Sequence, residues 1–346
     1  MSKNDPPRMM TPQSFYDHSS LDNVFRDMID QKILYVTGCL GFIGSHFTRK
    51  ALELGHRVFG VDKMTYASNS ALLDEFREWD TFSFLQEDIK ELDHLYDCDY
   101  VVNFAAESHV ENSITKSDEF INSNVLGVKN LLDLVRNKHE NTGDRPVFFQ
   151  ISTDEVYGDI VEGAHTESDL LKPSNPYSAS KASADMLVLA WARTYNIRYL
   201  ILRPTNNYGV GQYPEKLIPL CIKNLNRGKK IRLHEGGSPK RNWLHADDTA
   251  QAVIDIINSG RTDEIFNVAG GFEQSNYQTV KDILFHYFGE EVDIENYVDF
   301  TYGRKGQDVR YALDDSKLRS LGWAPNKVFS EELKIIVSHF NSKFYW

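Results

Sequence analysis

The decapeptide TGCLGFIGSH, Thr37 to His46, sets glycines at 38, 41 and 44 directly behind a short apolar run, KILYVT (32–37). That order predicts a strand, a tight exit and then a helix. Gly38 permits the sharp turn, Gly41 lets the backbone approach a pyrophosphate, and Gly44 lets the helix pack on the strand. Phe42 and Ile43 lead into a helix expected at 44–55, whose free N–H groups and positive dipole end suit phosphates. A second strand, HRVFGVD (56–62), ends in Asp62, 24 residues after Gly38. An acid near that spacing suits a ribose 2′-hydroxyl and repels a 2′-phosphate, which favours NAD over NADP. Lys63 next door pulls the other way. A glycine turn with a capping aspartate is the alternative reading of these residues.

Outward from this loop the pattern repeats. FSFLQED (82–88), DYVVNFAA (99–106), PVFFQIST (146–153) and RYLILRP (198–204) are further apolar runs, and helical stretches such as 118–137 separate most of them. Strands alternating with helices predict a parallel sheet covered on both faces. After Arg203 the alternation weakens, with helices predicted at 215–227, 247–259, 276–288 and 329–342. The expected fold is α/β: a Rossmann-like doubly wound parallel sheet with a smaller α/β substrate-binding lobe. Residues 1–31 form an N-terminal extension, with a possible short helix at 21–29. Residues 32–205 make up most of the dinucleotide-binding domain and 206–346 most of the lobe, with an interleaved boundary.

Bulk properties narrow the function. The 346 residues carry a net charge of −12, which disfavours a nucleic-acid partner. The sequence has neither a run long enough to span a membrane nor the apolar core of a signal peptide. Cys39, Cys98 and Cys221 are too scattered for a disulfide framework or a metal cluster, so no metal is expected and a cytoplasmic location is.

Ligands of an open parallel sheet sit beyond the carboxyl ends of its strands. Asp88 after the third strand could face an adenine amino group or merely cap the strand. Ala105 and Ala106 leave room for a cofactor backbone. Glu107, Ser108 and His109 fall at the same edge, His109 more naturally as a structural residue. ISTDEVYG (151–158) adds Ser152, Thr153, Asp154 and Glu155 at the end of the next strand. Two adjacent carboxyls there are either a solvated turn or an acid–base pair. NPYSASKASADML (175–187) then places Tyr177 and Lys181 four apart on one helical face. An ammonium beside a phenol, together with the positive nicotinamide ring of NAD⁺, would stabilise phenolate, which could take a proton from a sugar hydroxyl while hydride leaves carbon. Lys181 would also donate to the nicotinamide ribose.

Taken together, TGCLGFIGSH, VDKMTYASN, FAAESHVENSI, ISTDEVYGD, NPYSASKASADML, NNYGVGQYPEKLIP, RNWLHADD and LDDSKLRSLGW resemble the extended short-chain dehydrogenases/reductases that act on nucleotide sugars. The resemblance is closest to the dTDP-glucose and UDP-glucose 4,6-dehydratases, and it spans roughly 32 to 325. TDEVYG and YPEKLIP carry its specificity, because the glycine loop and Tyr-x-x-x-Lys are shared superfamily-wide. It implies a retained NAD, a nucleotide-diphosphate glucose substrate and a homodimer. In such a dimer the 118–137 helix and the Tyr177 helix would pair across the interface, with Leu132, Met186 and Leu189 as contact or core positions. Glu155 would be the base at C5 and Asp154 the acid at C6, and Thr153 would hold the C4 oxygen near Tyr177. Thr65, Ile89, Ser123 and Asn207 would join the cofactor contacts. Ser108, Asn206, Glu215, Lys216, Arg241, Asn267 and Arg304 would bind substrate, Arg241 and Asn267 at the diphosphate.

Four departures stand out. Cys39 and Leu40 replace smaller loop residues, and GRKGQDVRY (303–311) differs at Lys305 and Gln307, which leaves thymine or uracil open. The insertion before PYSASK is short, and the N-terminal extension lies outside the pattern. A 4-epimerase or decarboxylase of the same fold, or a non-catalytic NAD-binding protein, are the competing readings.

Overall fold

A computed structural model describes residues 31–301 and 309–342. The expected helix at 21–29 and Arg304 lie outside the described residues. Six strands appear in the first part of the chain: β1 Ile33–Thr37, β2 Arg57–Asp62, β3 Phe82–Gln86, β4 Tyr100–Asn103, β5 Val147–Ile151 and β6 Tyr199–Pro204. Short strands follow, β7 Asn206–Tyr208, β8 Ile231–Arg232 and β9 Lys240–His245, then β10 Glu264–Val268, β11 Phe272–Ser275 and β12 Val298–Asp299. The main sheet has seven strands in the order β10-β6-β5-β4-β1-β2-β3, and every pairing is parallel.

This is the doubly wound arrangement, with its direction of growth reversing between β1 and β4. Such a switch point leaves a crevice at the carboxyl edge. Alternation along the strands divides the core into two layers. In β1, Leu34 and Val36 join the layer that contains Phe47, Ala51, Val253 and Ile257, whereas Tyr35 faces Leu131, Val135 and Val188 on the other side.

The helices of the first part are α1 Phe42–Glu53, α2 Ala71–Arg77, α3 Val110–Thr115, α4 Ser117–Phe120, α5 Gly127–Thr142 and α6 Pro176–Tyr195. The single helix predicted at 118–137 is divided: a π-helical segment, Ile121–Leu126, separates α4 from α5. The later helices are α7 Leu217–Asn226, α8 Ala246–Asn258, α9 Asn276–Phe288, α10 Ser316–Arg319 and α11 Phe329–Ser342. Helices α7, α9 and α11 enclose a separate apolar core with Ile218, Ile283, Leu333 and Ile336. Two small sheets, β11-β9-β7 and β12-β8, complete this lobe.

The sequence reading missed one element of the main sheet. EIFNV forms β10 and pairs with β6, so α8 and β10 return from the second half of the chain to the first. Of the apolar positions considered for a dimer contact, Leu132 is core and Leu189 packs against it, whereas Met186 is about half exposed.

Candidate active site

The crevice at the switch point opens into two adjoining cavities that share Gly38, Gly41, Ala67, Phe104 and Ala106. The first runs along the ends of β1 to β4 and is lined by Asp62, Lys63, Thr65, Asp88, Ile89, Ala105 and Ser123. The second lies at the carboxyl ends of β5 and β6 and is lined by Phe42, Ile43, Gly44, Ser108, Thr153, Asp154, Glu155, Tyr177, Lys181, Asn206, Asn207, Glu215 and Lys216.

Close backbone approach shapes the glycine loop. Gly38 has φ +69°, and a Cβ there would sit 2.6 Å from the Ala105 nitrogen. A Cβ on Gly44 would collide with the Gly38 carbonyl oxygen. Helix α1 begins after Gly41, which has no side chain to cap it, so its first N–H groups face the cavity. Asp62 is buried and steadies the loop: Leu40 N, Met64 N and Ser68 Oγ donate to its carboxylate at 3.1, 2.8 and 2.8 Å. Lys63 turns away from Asp62. It donates to Ser123 Oγ at 2.9 Å and lies 3.6 Å from Glu107 and 3.8 Å from Asp88. Its charge is therefore engaged by two carboxylates, which weakens it as a partner for a 2′-phosphate.

At the other end, Thr153 caps a 3-10 turn, Asp154–Tyr157, its Oγ accepting from Glu155 N at 3.3 Å. The turn presents the two carboxyls to the cavity together. Thr153 Oγ donates to Asp154 Oδ1 at 3.1 Å, while Asp154 Oδ2 is buried with no hydrogen-bond partner among the described residues. Burial pushes the Asp154 carboxyl up to about 8, Glu155 adds to the rise, and Thr153 and the Arg241 charge oppose it. A carboxyl so placed keeps its proton at neutral pH and can act as an acid.

Glu155 is tied to the neighbouring helix. Asn175 Nδ2 donates to Glu155 Oε2 at 3.3 Å, and Asn175 closes a capping box with Ser178 at the start of α6. Tyr177 in the first turn and Lys181 one turn later are both buried. The i,i+4 spacing predicts an ammonium that favours phenolate. The structure differs: Lys181 Nζ donates to the Ile151 carbonyl at 2.6 Å. Burial raises the Tyr177 hydroxyl well above the ordinary tyrosine value, Glu155 and Asp154 add to this, and Thr153 opposes it. Burial also lowers Lys181 to about 8, against the nearby Asp185 charge. The protein alone thus keeps the phenol protonated, and any lowering needs a positive charge brought in from outside.

On the far wall, Asn207 is held by Thr249, which donates to its Oδ1 at 2.6 Å, and Asn206 Oδ1 is buried without a hydrogen-bond partner among the described residues. Lys216 Nζ donates to the Ser108 carbonyl at 2.7 Å, and Tyr66 donates to Glu215 at 3.2 Å. His109 Nδ1 lies 3.8 Å from Glu215 and has no hydrogen-bond partner among the described residues.

Two expected substrate contacts fall elsewhere. Asn267 is fully buried behind the site, its amide donating to the carbonyls of His165 and Asp314 and its Oδ1 accepting from Tyr157. With those bonds made it has no group to offer a diphosphate. Arg241 is outside the cavity lining, stacked 5.0 Å from the Tyr311 ring and donating to the Lys240 carbonyl. Residues not singled out from the sequence also line the cavities: Ser68, Phe104, Thr205, Gln212 and Tyr213. Gln212 and Tyr213 lie in the Gly-rich stretch 206–214, and Ser68 lies in VDKMTYASN, so motif membership was the available signal.

The chain is similar to known proteins. The family described as GDP-mannose 4,6 dehydratase matches residues 35–336. The dTDP-glucose 4,6-dehydratase of Neisseria meningitidis is 40% identical over 342 residues, covering 91% of this chain and 95% of that protein. The low-salt glycan biosynthesis protein Agl12 of Haloferax volcanii is 39% identical over 310 residues, 88% of this chain and 97% of its own. Among solved structures, the dTDP-glucose 4,6-dehydratase DesIV of Streptomyces venezuelae, crystallised with NAD bound, superposes with a TM-score of 0.83 at 37% identity. It covers 90% of this chain and 97% of DesIV.

Proposed function

The chain belongs to the GDP-mannose 4,6 dehydratase family, and from that premise we propose that it is an NAD-dependent nucleotide-sugar 4,6-dehydratase, a hydro-lyase acting on dTDP- or UDP-glucose. The observation that carries this reading is the cavity shared by an acid–base carboxyl pair, Asp154 and Glu155, and the phenol and ammonium of Tyr177 and Lys181. A 4-epimerase needs only the second pair. Elimination of water needs the first as well.

The residues fit a dinucleotide. A side chain on Gly38 or Gly44 would fill the turn, the uncapped start of α1 faces the pyrophosphate position, and Asp62 stands at the end of β2 where a ribose would lie. Lys63, Thr65, Asp88, Ile89, Ala105, Ala106 and Ser123 would surround the adenosine end. Bound there, NAD would supply the two-electron chemistry of taking up a hydride and giving it back.

The side chains move the protons. Tyr177 would take the proton of the C4 hydroxyl as the phenolate that the positive charge of the bound cofactor favours, while Thr153 holds that oxygen. The ketone makes the C5 proton acidic, and Glu155 removes it. Asp154, protonated at neutral pH, gives its proton to the C6 hydroxyl, which leaves as water. Asn206, Ser108, Glu215 and Lys216 line the far wall and would hold the nucleotide sugar. Arg241 would reach its diphosphate only after moving from Tyr311.

The chain would then work as a dinucleotide-binding part, 32–205, and a sugar-nucleotide lobe, 206–346, with α8 and β10 returned to the first. We place the enzyme in the cytoplasm, with Cys39, Cys98 and Cys221 as free thiols. Among the described residues no helix is long and apolar enough to cross a membrane. A homodimer would bury Ile114, Ile121, Leu126 and Met186, each exposed on or beside the helices that flank α6 or on α6 itself.

Turnover of dTDP-glucose and of UDP-glucose by purified protein tests the reading and settles the base. The expected product of at least one is a sugar nucleotide lighter by one water. An isomer of unchanged mass would establish the epimerase instead.

A further inference from the structure

Behind the cavity a chain of buried polar groups joins the two elements that carry the catalytic side chains. Asp185 lies one turn beyond Lys181 on α6 and is fully buried. Its Oδ2 accepts from Arg203 Nε at 2.9 Å, and Arg203, near the end of β6, is itself 1% exposed. Arg203 Nη1 donates to the Tyr157 hydroxyl at 2.7 Å, and its guanidinium lies 4.8 Å from the Tyr157 ring centroid. Tyr157 closes the 3-10 turn that presents Asp154 and Glu155, and its hydroxyl donates to Asn267 Oδ1 at 2.9 Å on β10. The ring is also stacked on His165 at 5.0 Å. None of Asp185, Arg203, Tyr157 and Asn267 lines the cavities.

A buried ion pair is a poor source of stability, because its desolvation offsets most of its attraction. What it provides here is a fixed distance. Reaction at C4 involves Tyr177 and Lys181 on α6, whereas reaction at C5 and C6 involves the Asp154–Tyr157 turn. The two elements come from different parts of the chain, and one sugar ring must meet both. Misplacing either by about 1 Å costs a factor on the order of 10² in rate. On the front side, Asn175 Nδ2 reaches Glu155 at 3.3 Å.

We infer that Tyr157, Arg203 and Asp185 are positioning residues, a brace that holds the carboxyl-bearing turn in register with the phenol-bearing helix for one sugar ring. This rests on the dehydratase reading above. The brace acts through Asp154 and Glu155, so its loss strikes the chemical step and spares substrate binding.

Tyr157→Phe is the test, since it keeps the ring, its stacking and the guanidinium contact and removes only the hydroxyl. The expected result is a kcat lowered by a factor on the order of 10–10² with KM changed by less than about threefold. The alkaline limb of the kcat profile should also move to lower pH, because a turn released from the brace lets water reach Asp154. A purely structural role would lower the melting temperature and leave the profile in place. The double variant Asp185→Leu/Arg203→Met, which replaces the ion pair by apolar groups of similar size, should give the same pattern. It stands in should Tyr157→Phe not fold. Wild-type kcat and an unmoved limb in a folded variant overturn the inference alone. No turnover of either nucleotide sugar by the wild-type protein would overturn the dehydratase reading, and this inference with it.

Discussion

Asp154 pays in stability for its place in the site. Between the ordinary carboxyl value and about 8, the folded protein holds a proton on Asp154 that the unfolded chain has released. Stability therefore falls as pH rises through that window. Asp154→Asn removes the penalty and leaves an acceptor for Thr153. It should raise the melting temperature at pH 8, by an amount equivalent to roughly 1–3 kcal/mol, and change it little at pH 4, as thermal unfolding at the two pH values would show. Its turnover should collapse, because an amide delivers no proton. In the wild type kcat should decline above about pH 8 as Asp154 ionises, and the pH profile checks this. Glu155→Gln keeps an acceptor for Asn175 and removes only the base. It should slow product formation by a factor on the order of 10²–10⁴ while C4 oxidation remains possible. Normal turnover in that variant would take the base role from Glu155. Asp154, Glu155, Tyr177 and Lys181 were legible in the sequence because adjacency and a four-residue spacing fix their neighbours. In the protein alone, burial and the carboxyls keep the proton on Tyr177 and the ammonium is turned to the Ile151 carbonyl, so the phenolate expected from the sequence depends on the nicotinamide charge.

Among elements, the strand–glycine–helix unit was the most legible, because a turn this tight admits few residue types. Gly44→Ala should destabilise the fold by about 1–3 kcal/mol or more, since its methyl would meet the Gly38 carbonyl. It should also weaken binding of NAD, as thermal unfolding and calorimetric titration would record. The π-helical segment at Ile121–Leu126 was not legible, its apolar pattern being that of an ordinary helix. It buries Ser123 and Asn124, where Ser123 receives Lys63 and Asn124 accepts from Glu107 N at 2.8 Å and donates to Ser180 Oγ at 2.9 Å. Such segments recur at functional sites. β10 escaped notice because five residues after a long helix carry little periodic signal. The resemblance had put Asn267 at the diphosphate, whereas on β10 its side chain is bonded to Tyr157, His165 and Asp314.

Across the whole molecule, the order of strands places the site. The reversal between β1 and β4 opens the crevice, and the later half of the chain supplies its far wall with Asn206, Asn207, Glu215 and Lys216. The parallel sheet was readable from alternation, while the return of α8 and β10 was not, because it depends on contacts far apart in sequence. Exposed apolar side chains at Ile114, Ile121, Leu126 and Met186 lie close to the site-bearing helix. If a second copy covers them, light scattering on eluted protein should give twice the chain mass, and Met186→Lys should shift it towards the monomer. The central claim is that one cavity oxidises a sugar carbon and then expels water from its neighbours. Turnover in heavy water tests it most directly. The account predicts a product lighter by one water that carries one solvent deuterium at C5, and a product that has lost no water would contradict it.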